Sequence, residues 1–140
     1  MHTTSKEKFV HTPKDKAFYK HLDNPQVVRH LQYRFEGIPL IYGITCMVNQ
    51  MIYIGSSLSP SKRFHKHLTV RSTNSSNKAL QKAINQHGLR HFKIQIFEYV
   101  RFSQVMTYEE KKTLLRKIEQ HYIDHFPKSQ LYNSMNSRIS

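Results

Sequence analysis

Tyr42, Tyr53, Arg63, His67 and Glu119 are side chains of types that can do chemistry together, and their spacing brings them within reach of one another. The two tyrosines lie in runs rich in β-branched and aromatic residues, Leu40 to Val48 and Met51 to Ile54. These read as a hairpin turning around Met47 to Gln50. An even-numbered loop pairs residues whose numbers add to an odd value, so Tyr42 and Tyr53 share one face of the sheet. A four-residue loop from Cys46 to Asn49 would set them directly opposite each other. A tight Asn49-Gln50 turn would separate them by ~13 Å, at ~3.3 Å per residue. By themselves two such tyrosines are an ordinary cross-strand aromatic pair. Arg63 and His67 add to them: four residues apart on the next helix, they project together beside the apolar edge of Phe64 and Leu68 and can face the tyrosines. Glu119 is framed by Leu115 before it and Tyr122 and Ile123 after it, at helical spacing. A carboxylate aimed at apolar surroundings must be paired, for instance with Arg63, or must bind a cation. Glu109 and Glu110 fall in a first helical turn, where the helix dipole accounts for them. Glu98 and Asp124 have no comparable apolar frame.

The elements that must position these residues follow in order. Asn24 to Phe35 reads as a short helix, with Asn24 as N-cap and Pro25 at the first helical position. After the hairpin, Pro60 to Val70 reads as a helix capped by Ser59. A further helix over Asn77 to His87 is expected to be capped by Ser75 or Ser76 and stopped by Gly88, with Leu80, Ala83 and Ile84 inward. His91 to Val100 alternates as a strand. Thr107 to Phe126 reads as the longest helix, opened by a Thr107 and Glu110 capping box and striped by Leu114, Leu115, Ile118, Tyr122 and Phe126. The sum is a small α/β (α+β) domain with a largely antiparallel three-stranded sheet flanked by helices. The expected division is a basic N-terminal extension over 1–36, disordered in its first sixteen residues, and a compact domain over 37–140.

The charge says what such a domain meets. Lys and Arg number 22 against 9 Asp and Glu, a formal charge of +13. From Gly37 to Phe97 there is no acid at all, while Lys62, Arg63, Lys66, Arg71, Lys78, Lys82, Arg90 and Lys93 fall in that stretch. Ordinary surfaces intersperse both signs, so polyphosphate is the first expected partner and an anionic membrane surface the second. No apolar run reaches the ~20 residues of a membrane span, and no apolar segment follows the N-terminus as a secretory signal would. Cys46 is the sole cysteine, which excludes an internal disulfide and a cysteine-built zinc site. His65 with His67, or His121 with His125, lacks a third ligand at useful spacing. The glycines at 37, 43, 55 and 88 make no phosphate-binding loop, and Ser56, Ser57 and Ser59 lack the elbow of a serine hydrolase.

Taken together these residues resemble the GIY-YIG nuclease family, most closely the homing endonucleases encoded in group I introns. Tyr53-Ile54-Gly55 followed by Ser56-Ser57 stands as the second element, and Leu40-Ile41-Tyr42 as the first, with leucine in place of glycine. Lys62-Arg63-Phe64-His65-Lys66-His67 looks like the family's Arg and His helix. Asn77-Lys78-Ala79-Leu80-Gln81 through Asn85-Gln86-His87-Gly88 is similar to its second helix, Ile118-Glu119-Gln120 to the metal-ligand segment, and Tyr132-Asn133 to the late Asn motif. The resemblance covers roughly residues 38–136. It implies hydrolysis of double-stranded DNA with one divalent cation, Mg2+ or Mn2+, and neither a membrane nor a small-molecule cofactor. By the same resemblance Glu119 holds the metal, Arg63 clamps the phosphate, Tyr42 is the general base tuned by Tyr53 and His67, and Asn133 positions the site. Gly55, Ser56, Lys62, Lys66, Arg71, Lys78 and Lys82 are expected at the DNA surface. A restriction or repair nuclease of the same fold, or an inactive basic DNA-binding protein, is the alternative. The family usually carries a separate DNA-reading module; residues 1–36, with Lys6, Lys8, Lys14, Lys16, Lys20, Arg29 and Arg34, are expected either to replace it as a phosphate-tracking arm or to form a passive tail.

Overall fold

In the computed structural model, β3 (Leu40–Cys46) is the centre of an antiparallel sheet, paired with β4 (Ile52–Ser57) on one side and β5 (Phe92–Val100) on the other. The structure describes Val10 and His11, residues 18–68 and residues 77–134. The expected three strands are present, and two short ones extend them. β1 (Val10–His11) pairs with Val100 and Tyr99, and β2 (Phe18–Tyr19) with Gln95 and Ile94, both on the outer edge of β5. β4 is therefore the opposite edge of the sheet. Among the described residues no helix is long and apolar enough to cross a membrane.

Two cores lie on the two faces. Leu40, Tyr42, Ile44 and Cys46 of β3, with Phe92, Ile94 and Ile96 of β5, pack beneath α1 (Pro25–Arg34), α2 (Pro60–Leu68) and α3 (Lys78–His87). Ile41, Ile52 and Ile54 face α4 (Tyr108–Ile123) through Leu115, Ile118, Tyr122 and Ile123. Leu22, Leu31 and Phe35 are fully enclosed in the first core beside Leu40 and Phe64. The expected boundary at residue 36 is thus crossed by a continuous core, and Val10 and His11 are strand within the stretch expected to be disordered. The remainder of the phosphate-tracking arm, 1–9 and 12–17, lies outside the described residues, as does Arg71.

Local signals set most helix ends. Asn24 accepts from the Gln26 amide, and Thr107 and Glu110 complete both halves of the capping box. The cap of α3 is Asn77, not Ser75 or Ser76: its Oδ1 accepts from Leu80 N at 2.7 Å while its Nδ2 donates to Tyr132 O at 3.3 Å. Asn77 thereby closes a helix and holds the C-terminal strap with one buried amide. Leu114 is only partly buried and belongs to neither core, facing a shallow hollow with Glu109, Glu110, Thr113 and Lys117. Gly88 ends α3 at φ 87°, a conformation glycine adopts without strain.

Candidate active site

The hairpin register decides how the tyrosines meet. Tyr42 pairs with Gly55 and Ile44 with Tyr53, so the loop is Met47 to Gln50 and closes at Cys46 N→Met51 O, 2.8 Å. Gln50 takes φ 64° to complete the turn. Both expected registers are corrected: the tyrosines share a face but sit diagonally, two residues out of step, with ring centroids 6.3 Å apart. The diagonal lays the Tyr42 ring across Gly55. A Cβ there would come within 2.5 Å of Tyr42 Cζ and Oη and 2.9 Å of Tyr53 Cε2. Gly55, expected at the DNA surface, is instead buried in mid-strand, and the group approaching its backbone is the tyrosine opposite it. Leu40, standing where the first element has its glycine, is fully buried in the same core as Tyr42.

α2 closes over this face. Phe64 packs edge-on against Tyr42, centroids 5.2 Å apart, and His67 Nε2 shares a hydrogen bond with Tyr42 Oη at 3.0 Å. His67 also stands edge-on to Tyr53, at 5.3 Å. It is completely enclosed, and among the described residues its Nδ1 has no hydrogen-bond partner. Burial, with the charges of Arg63 and Lys66, pulls its pKa down from 6.5 to about 3, so the ring is neutral at physiological pH. Tyr42 is 0% exposed, and burial raises its phenol well above the ordinary value of 10.0. Tyr53 raises it further, while the charge and hydrogen bonding of Arg63 pull it down.

The sign for folding follows from linkage. A histidine held neutral when folded but free to protonate near 6.5 when unfolded contributes stability that is complete above 6.5. That stability is lost as pH falls toward about 3. The loss is about 1.4 kcal/mol per pH unit within that window. His67→Gln is expected to remove this slope, so that urea midpoints at pH 7 and pH 5 differ less in the variant than in the wild type. Parallel midpoints in the two proteins would show that His67 is not held neutral.

Glu119 approaches from the other side of the sheet. α4 packs on the face opposite Tyr42, but at the β4 edge Glu119 Oε1 accepts from Ser56 Oγ. Burial raises the Glu119 pKa, opposed by that hydrogen bond and by the charges of Arg63 and Arg116. The two sides meet in one open cleft of about 520 Å³ at the edge of β4. Tyr53, Arg63 and Glu119 line it together, with Ser56 and Ser57 in its floor. Tyr42 and His67 do not line it; they form a buried layer behind Tyr53. Lys62, Lys66, Lys78 and Lys82 lie on α2 and α3, away from the lining.

Asn133 does not line the cleft; it lines a neighbouring hollow and meets the site through the backbone of β4. Its amide clasps the free edge of β4, donating Nδ2 to Ile54 O at 2.8 Å and accepting at Oδ1 from Ile54 N at 3.0 Å. These two bonds act as a one-residue strand between Tyr53 and Gly55, next to the Ile52–Leu131 bridge. A second, larger hollow of about 800 Å³ lies beyond Asn133, lined by Met51, Ile123, Phe126 and Leu131 among others. Among the described residues it shares only Gln120 with the cleft.

The model of the GIY-YIG catalytic domain matches residues 38–133. The chain belongs to the GIY-YIG family. A relative from Neurospora crassa named probable intron-encoded endonuclease 1 is 38% identical over 96 residues, which is 66% of this chain. The match spans 29% of that relative's length, so this chain corresponds to less than a third of it. No solved structure matches the chain. The GIY-YIG match starts at residue 38, after α1, although α1 contributes to the same core.

Sequence spacing did not anticipate three features of this GIY-YIG site. Glu98, outside the cleft lining, is buried, 3% exposed, and accepts from Tyr122 Oη at 2.6 Å, its Oε2 unpartnered among the described residues; burial raises its pKa. The hydrogen bond from Ser56 to Glu119 crosses between elements and leaves no local signature. Tyr108, Lys112 and Arg116 line the cleft from α4, and their i, i+4, i+8 spacing ahead of Glu119 was the available signal.

Proposed function

We propose that this GIY-YIG domain is a divalent-metal-dependent DNA endonuclease acting in intron homing. One observation carries the reading: a carboxylate, a guanidinium and a phenol from three separate elements converge on a single open cleft in a chain of +13 charge. The likeness to a relative named as an intron-encoded endonuclease supports the homing role.

The residues suit a hard cation. Among the described residues no three His, Cys, Asp or Glu stand close enough to cage a metal. One half-buried carboxylate open to a polar cleft fits Mg2+ or Mn2+, which keep most of their water and share substrate phosphate oxygens. Glu119 would hold the ion, which supplies Lewis-acid stabilisation of the departing 3′-oxygen when bound. Ser56 fixes which carboxylate oxygen remains for that task. Arg63 binds the scissile phosphate and neutralises the charge that grows on it during in-line attack. Tyr53 is the phenol that meets the cleft; once its own proton has left to water in the cleft, the phenolate beside the Arg63 guanidinium takes the proton from the attacking water, which leaves hydroxide to attack the phosphate. Tyr42, shut away from solvent, orients Tyr53 from behind through packing, and neutral His67 holds Tyr42 by their shared hydrogen bond. This reverses the division between the tyrosines expected from the family resemblance, on the ground of access.

The test is magnesium-dependent nicking of supercoiled plasmid by wild type, Tyr53→Phe and Tyr42→Phe. Wild type nicks. Tyr53→Phe slows the rate by ~10²–10⁴-fold, the usual cost of removing a positioned general base. Tyr42→Phe strands His67 without its hydrogen bond, destabilises the fold by ~1–3 kcal/mol, and slows cleavage less. A larger drop in rate for Tyr42→Phe at equal folded fraction would return the base to Tyr42.

A further inference from the structure

From the face that α4 turns to the cleft we infer a second contact for the substrate: Tyr108, Lys112 and Arg116 form a track that carries one DNA strand away from Glu119 and stacks an unpaired base on Tyr108. This rests on the endonuclease reading and extends it to the form of the substrate.

Tyr108, Lys112, Leu115, Arg116 and Glu119 all line the same cleft, as their helical spacing requires. Tyr108 is 63% exposed and belongs to neither core. The helix start does not need it, because Thr107 and Glu110 form the capping box. The Lys112 ammonium lies over one face of its ring, 5.2 Å from the centroid, so the place for a base is the opposite face, with the cation one ring's thickness away for the phosphate. That combination binds single-stranded nucleic acid: a cation for the phosphate and a π-face for the base. Glu109 and Glu110, which would repel phosphate, line a separate hollow with Thr113, Leu114 and Lys117. The helix from Tyr108 to Glu119 rises ~16 Å, at ~1.5 Å per residue. At ~3.4 Å per nucleotide of a B-form strand, the stacked base lies about five nucleotides from the scissile phosphate. Inside an intact duplex a base is paired and stacked on its neighbours, so the ring selects DNA that is locally opened.

The experiment measures binding by fluorescence anisotropy, in EDTA, of one labelled strand of about thirty nucleotides and of its perfect duplex, long enough to pass both Glu119 and Tyr108. The proteins are wild type, Tyr108→Ala, Tyr108→Phe and Lys112→Gln, matched for thermal midpoint. Tyr108→Ala is expected to weaken single-strand binding about 5- to 150-fold, the range that base–aromatic stacking spans, and duplex binding less than about twofold. Tyr108→Phe restores the single-strand affinity. Lys112→Gln lowers the salt slope on the single strand by ~0.7 log unit, the share of one neutralised phosphate. Unchanged single-strand binding in Tyr108→Ala, failure of Phe to restore it, or equal weakening on the duplex would overturn the track. Plasmid nicking with magnesium, run in parallel, separates the two readings. Wild type that fails to nick while Tyr108→Ala weakens single-strand binding removes the endonuclease and keeps the track. Nicking with unchanged binding does the reverse.

Discussion

Glu119→Ala is expected to lower magnesium-dependent nicking about 10³-fold or more while DNA affinity holds or rises. Among the described residues, Glu119 is the only carboxylate in the lining of the cleft that also holds Tyr53 and Arg63. A bound cation contributes several kcal/mol of charge stabilisation to the transition state, and each ~1.4 kcal/mol is a factor of ten in rate. Removing the side chain also removes a negative charge from a surface that must meet phosphate, so binding does not suffer. The fold is expected to tolerate the change, because burial already disfavours the ionised form of this carboxylate and its removal leaves no buried charge behind. Glu110→Ala is the matched control. It breaks the capping box at the start of α4, costs ~0.5–2 kcal/mol of stability, and leaves the rate per folded molecule near wild type. The measurement is single-turnover nicking against magnesium concentration. A Glu119→Ala protein that nicks at near wild-type rate would move the metal site elsewhere.

Arg63→Ala is expected to cost ~10²–10³-fold, the effect of removing one preorganised group that stabilises developing charge. A second consequence distinguishes this arginine from a general phosphate binder. Its charge lowers the pKa of both Tyr42 and Glu119, against the burial that raises each. Without it both groups move further up. On the proposed metal role, in which Glu119 is ionised to hold a cation, the acid limb of the pH–rate profile therefore shifts to higher pH. Arg63→Lys keeps a charge but not the planar fork, so the limb should return toward its wild-type position while the rate recovers only in part. Lys62→Ala, one residue away and exposed on the outside of α2, is expected to weaken binding slightly without moving the profile. An Arg63→Ala profile of wild-type shape would show that Arg63 acts on the phosphate alone and not on its neighbours.

Much of this architecture was legible from local patterns because local forces make it. Caps at Asn24 and Thr107, the stop at Gly88, and the alternation that places Tyr42 and Tyr53 on one face depend on residues a few positions apart. The same holds for the pairing of Arg63 with His67 on one helix, and for the motifs that carried the resemblance to the GIY-YIG family. The unbroken absence of acids from Gly37 to Phe97 is a property of composition that no fold can alter.

Contacts across elements were decided only by the tertiary structure. Both tyrosines are buried, Tyr42 at 0% and Tyr53 at 7% exposed; which of them reaches the cleft depends on α2 closing over Tyr42 and leaving Tyr53 in the lining, and no spacing within the hairpin encodes that. Glu119 reaches its partners although its helix lies on the opposite face of the sheet, because β4 is an edge strand and both faces meet there. Asn133 serves the site by pairing that edge, at a distance in sequence that local reasoning does not cross. Glu98 shows the limit most plainly. Strict alternation from Phe92 would turn it toward Tyr42's face. A register shift between Ile41 and Tyr42 leaves Phe97 as the extra residue and turns Glu98 toward Tyr122 on α4 instead. The residue types set which chemistry was possible; the bulge, the edge and the closing helix decided which side chains share the cleft.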